Sequence, residues 1–147
     1  MLRNKLLALL TVLLLASGVS WAQCKEFALD EGLKQLDTEK YIHDGRFNAI
    51  RLRGGDDIRL YKSFFQGESY RITVVAESTL NDVTFEVVDF KENNVLFSSQ
   101  KSKSMIWDFN SDVSQRLVIV VHVPKDQNPE TLRGCIAIMF GVKKDIK

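Results

Sequence analysis

The chain has 147 residues, 45% of them hydrophobic, with 20 basic and 19 acidic side chains and a formal charge of +1. That length supports one domain with its own core. Charges of both signs are interspersed with no basic stripe, which argues against the clustered Lys and Arg that non-specific nucleic-acid binding needs.

The N-terminus carries Arg3 and Lys5, then an apolar run from Leu6 to Leu15, then Ala16, Ser17, Gly18 and Ser20. A charged end, an apolar middle and a small-residue exit make a secretory signal. Ser20 and Ala22 hold the minus-three and minus-one positions of a cut before Gln23. The run is too short for a spanning helix, which needs about 20 apolar residues. Gln23 is also a poor neighbour for lipid attachment at Cys24. The expected layout is therefore a signal over 1–22 and one domain over 23–147, secreted or periplasmic, with no later membrane span. Removing Arg3 and Lys5 leaves 18 basic and 19 acidic residues, a formal −1.

Cys24 and Cys135 are the only cysteines. In an oxidising compartment two cysteines usually pair, and this pair would tie a fraying terminus to the last strong apolar segment. A metal site needs further Cys or His at close spacing, and His43 and His122 are far from both.

Phe27, Leu29, Leu33 and Leu36 have loosely helical spacing, which Gly32 weakens. A short helix or arm is expected there, followed by a turn over Tyr41 to Gly45. The period then changes to two. Strands are expected over Phe47–Leu52, Ile58–Phe64, Tyr70–Ala76, Val83–Phe90, Val95–Ser98, Met105–Phe109, Leu117–Val123 and Cys135–Val142. Turn signals such as Gly54-Gly55-Asp56-Asp57 and Gln66-Gly67-Glu68 separate most of them. No helical segment sits between strands to make a parallel crossover. The fold class is all-β: an antiparallel, jelly-roll-like sandwich of about eight strands with a short N-terminal helix or arm. The Leu117–Val123 strand, apolar on both faces, is expected at a central position.

Phe65-x-Gly67-x-x-Tyr70-x-Ile72, then Phe85-x-Val87-x-Asp89, a turn and Leu96, resembles bacterial pre-peptidase C-terminal domains. The resemblance spans roughly Asp57 to Val123 and implies a β-sandwich without supplying a site. Ser114-Gln115-Arg116-Leu117 stands where that family has Gly-x-Tyr. The layout from the early cysteine to Gly134-Cys135 also resembles small secreted bacterial proteins.

No catalytic motif stands out. His43 beside Asp44 and His122 on a strand are the only natural bases, and no Gly-x-Ser-x-Gly elbow accompanies them. Glu86, Asp89 and Asp108 supply the outward acids any sandwich has. Asp108-x-Asn110-x-Asp112 has the oxygen spacing that opens a calcium loop, but Val113 and Ile119 stand where that loop needs glycine and glutamate. It reads either as a loose calcium site or as a polar turn. Trp107 shares its phase with Met105 and Phe109, which favours the core over a sugar-stacking platform. Tyr61 and Phe65 fall on the phase opposite Ile58, Leu60 and Phe64. Tyr61 and Phe65 either line a binding face, with Arg59 beside them, or pack beneath the N-terminal arm; Tyr41 is a further candidate surface aromatic for such a face. The expectation is a non-catalytic exported module without cofactor, recognising a glycan or an envelope protein. The alternatives are a hydrolase with a site of scattered loop residues, and a structural envelope component.

Overall fold

The structure is a computed structural model that describes Met1, Leu2, Lys5, residues 24–125 and residues 133–145. The expected signal and its cut before Gln23 fall outside the described residues, apart from those three, as does 126–132 of the loop after Pro124.

The described residues form nine strands in two antiparallel sheets. They are β1 (Tyr41–His43), β2 (Asn48–Arg53), β3 (Asp57–Phe64), β4 (Ser69–Ala76), β5 (Thr84–Asp89), β6 (Val95–Ser98), β7 (Ile106–Asn110), β8 (Gln115–His122) and β9 (Arg133–Lys143). One sheet runs β1-β9-β4-β7, with β2 also on β9; the other runs β3-β8-β5-β6. Period-two alternation puts one apolar row per strand between the sheets. Phe64, Phe85, Phe140, Ile72, Leu117, Ile119, Ile136, Ile138, Val74 and Val87 form that core. The all-β sandwich is as expected, and β8 is central between β3 and β5.

One local expectation needs correction. Tyr41 to His43 is a strand, not part of a turn. It pairs with Lys143 to Gly141, and β2 then takes up Ile138 to Arg133 of the same strand. The turn is confined to the residues between these two collinear strands, where the Asp44 N–H still bonds the Phe140 carbonyl at 3.2 Å. The polar stretch after β6 holds a single helical turn, α2 (Ser99–Ser102). The arm before β1 is helical but irregular: a π-helical turn over Ala28–Gly32 precedes α1 (Leu33–Leu36).

The arm explains why β9 is apolar on both faces. Ile136, Ile138 and Phe140 face the sandwich interior, while Ala137 and Met139 face Ala28, Leu36 and Tyr41 in a second cluster. Cys24 and Cys135 are disulfide-bonded across 111 residues of sequence, which fastens the start of the arm to β9. Tyr41 is buried in this cluster, with the Arg71 guanidinium 4.3 Å from its ring centre. It is therefore not a surface aromatic, because its side chain stands on the face of the sheet that the arm covers.

Gly141 marks the closest approach. A Cβ there would stand 2.8 Å from the Tyr41 Cβ and 3.0 Å from Leu36 Cδ1. Gly141→Val should lower the unfolding free energy by about 1–3 kcal/mol through overpacking. The check is a urea titration, in which the midpoint falls without a change in far-ultraviolet strand signal.

Candidate functional site: the outer face of the four-stranded sheet

The arm covers the outer face of the larger sheet. Among the described residues none forms such a cover over the outer face of β3-β8-β5-β6, and its side chains stand in rows set by register. Tyr61 is opposite Val118, Val118 opposite Val88, and Val88 opposite Val95. Residues directly opposite in an antiparallel pair share a face, so this apolar row crosses all four strands. The adjacent row reads Arg59, Val120, Glu86 and Ser98. It supplies charges of both signs on one flank.

On the other flank, Ser63 is opposite Arg116, and the Phe90 N–H bonds the Arg116 carbonyl at 3.1 Å. This brings three side chains together. The Arg116 guanidinium lies 5.3 Å from the Tyr61 ring centre and 5.1 Å from that of Phe90. The two rings meet edge to face at 5.9 Å. Cation–π attraction fixes the long arginine in one orientation before any partner arrives. Among the described residues Arg116 makes no side-chain ion pair, so the donors of its fork remain available. Tyr61 is 46% exposed and Phe90 54% exposed. Together with Arg59, Glu86, Val88 and Val118 they border a shallow depression of about 280 Å³. An apolar floor with a charged rim is the anatomy of a protein-recognition patch.

The sequence-predicted residues separate. Arg59 and Tyr61 share this face. Phe65 is 64% exposed just past the end of β3, where its N–H bonds the Tyr70 hydroxyl at 3.0 Å. Its ring does not meet Tyr61, whose aromatic partner is Phe90. Neither Tyr61 nor Phe65 lies beneath the arm, which sits on the other sheet. Phe90 and Arg116 were missed as site residues. Alternation from Glu86 through Val88 places Phe90 outward, but only the register of β3, β8 and β5 brings it to Tyr61. Trp107 stacks between Phe97 and Phe109 against the core edge, at 5.7 and 4.2 Å.

Asp108, Asn110 and Asp112 do not converge on a common point. Asp108 receives Arg71 Nε and a terminal Arg71 nitrogen on its two oxygens, both at 2.7 Å. Asn110 accepts a hydrogen bond from Ser69 Oγ at 2.7 Å. Asp112 is exposed beyond the strand end. Among the described residues no group of three His, Cys, Asp or Glu is placed to hold a metal.

The Arg71 hydrogen bonds hold the Asp108 carboxyl below the ordinary carboxylate range, against the opposing effect of burial. A depressed folded pKa gives stability above the unfolded value that is lost as pH falls through the folded one. Asp108→Asn should therefore lower the urea midpoint at neutral pH, by ~1 kcal/mol or less for a half-exposed pair. Wild type and variant should converge as the pH falls through the lowered folded-state value, where the carboxylate protonates.

The histidines serve local structure. His43 accepts the Gly45 N–H on Nδ1 at 3.2 Å, which leaves Nε2 to donate to the Arg46 carbonyl at 3.1 Å. His122 Nδ1 bonds the Asp57 carboxylate, and Thr84 stands opposite His122 on β5. Their side chains are 50% and 61% exposed for His122 and Asp57, so solvent rather than a dry pocket surrounds the pair. General-base catalysis gains little in that setting.

The comparisons with known proteins place the fold. No protein-family model and no curated protein matches the sequence. Among solved structures, the chain is similar to PliG of Aeromonas hydrophila, a periplasmic lysozyme inhibitor of g-type lysozyme. The TM-score is 0.51 at 11% sequence identity, over 67% of this chain and 85% of that one. The likeness is one of architecture.

Proposed function

We propose that this chain is an exported, non-catalytic binding protein whose partner is a protein met in the cell envelope. The observation that carries this reading is the Tyr61–Arg116–Phe90 cluster beside the apolar row of the smaller sheet. Arg and aromatic side chains dominate binding hot spots, where rigid rings and an oriented guanidinium lose little entropy on association. The fork of Arg116 fits a partner carboxylate, and the Tyr61–Val95 row fits an apolar surface around it. The architecture shared with PliG supports a protein partner over a glycan and makes g-type lysozyme the first partner to try. The signal-like N-terminus and the Cys24–Cys135 bridge support export.

The structural-component alternative has less support. β3 is an eight-residue edge strand, but it carries Asp57, Arg59 and Lys62, and charges blunt edge-to-edge pairing. Lys62 also bonds Asp44 at 2.6 Å, tying the β1–β2 turn of one sheet to the edge of the other.

The test is a titration of g-type lysozyme activity with the oxidised protein. The reading predicts stoichiometric inhibition that saturates near one to one. Full lysozyme activity at every ratio, together with retention of the protein on a peptidoglycan or glycan column, would replace the protein partner by a glycan.

A further inference from the structure

A second surface lies at the disulfide end of the larger sheet. Arg53 on β2 stands directly opposite Arg133 on β9, and Arg51 stands opposite Cys135 one step along the same face. Like charges directly opposite across a ladder are destabilising, so the fold itself gives no reason for this pair. Both arginines are exposed, and with Arg51, Leu52 and Asp56 they border an open depression of about 320 Å³.

The acids nearby offset only part of this charge. Asp56 spends Oδ2 on the Arg53 backbone N–H at 3.0 Å and sits 3.8 Å from Arg53 Nε. Glu77 accepts the Cys135 N–H at 2.5 Å. Among the described residues the Arg133 side chain makes no hydrogen bond or ion pair. Two guanidinium forks bordering one open depression suit the oxygens of a tetrahedral oxyanion.

We propose that Arg53 and Arg133 form a receptor for a phosphate group, separate from the outer face of the smaller sheet. The group comes either as free phosphate or as the headgroup of an anionic phospholipid. The ligand supplies the negative charge that the opposed arginines lack, and the disulfide at Cys135 holds β9 in place beneath it.

The experiment uses the oxidised protein and two probes. The first is inorganic phosphate titrated at constant ionic strength, read by amide chemical shifts of β2 and β9. The second is co-sedimentation with phosphatidylglycerol vesicles, against neutral phosphatidylcholine vesicles. Saturable shifts around Arg53 and Arg133 assign a free-phosphate site. Retention on anionic vesicles alone assigns the lipid headgroup. Arg133→Gln and Arg53→Gln should each weaken the response at least tenfold, while Arg59→Gln, on the other sheet, leaves it unchanged. Arg133→Gln should also unfold no earlier than wild type, because it removes a repulsion. The proposal is overturned if phosphate acts no more strongly than chloride and neither vesicle retains the protein, or if Arg133→Gln responds as wild type does.

Discussion

Replacing Cys24 and Cys135 together by Ala will lower the unfolding free energy by up to about 4–5 kcal/mol, the chain-entropy value for a loop of roughly a hundred residues. The bridge closes 111 residues of sequence, so it removes more freedom from the unfolded chain than a short loop would. It also positions the arm. Ala28, Leu36 and Tyr41 pack on Ala137 and Met139, and the arm reaches this face through the bond at Cys24. A marginal domain holds about 5–15 kcal/mol in all, so the variant should be unfolded or close to it at physiological temperature. Equilibrium urea unfolding of oxidised, reduced and doubly substituted protein measures this directly. Reduced wild type and the double variant should share one midpoint. A midpoint unmoved by reduction would mean that the arm holds by packing alone.

The second large effect concerns binding. Arg116→Ala will weaken the partner complex by about 2 kcal/mol or more, roughly thirtyfold, the size expected of a central arginine hot spot. Tyr61→Ala and Phe90→Ala should each cost at least tenfold, because each ring holds one side of the guanidinium. Arg116→Lys should recover only part of the loss, since an ammonium keeps the charge but not the planar fork. Stability should change little, as all three side chains stand on the outer face and the core beneath is untouched. Calorimetric titration of each variant against g-type lysozyme, beside its urea unfolding curve, separates the two effects. The Tyr61→Ala, Arg116→Ala double variant should fall short of the sum of the singles, because the pair acts as one unit.

Much of the fold was legible in the sequence because alternation reports burial directly. Ile58 to Phe64 and Leu117 to His122 show period two or a continuous apolar run, and both are strands. β1 escaped notice because three residues beside Asp44-Gly45 are too few to show a period. Its identity depends on β9, a hundred residues away. The disulfide could be inferred because the sequence offers no other pairing. The candidate site was half legible. Phase alone placed Tyr61 and Arg59 outward, but reading Tyr41 as part of a turn left it at the surface, since nothing local shows that the arm and Arg71 cover it. Phe90 and Arg116 meet Tyr61 only through the registers of three strands, which local pattern does not encode.

The most direct test of the binding account is methyl NMR of the protein with and without saturating g-type lysozyme. The account predicts broadening or shifts at Val88, Val95, Val118 and Val120, with the methyls of Leu36 and Met139 beneath the arm unchanged. Perturbation confined to the arm face, or none at any methyl, would contradict it.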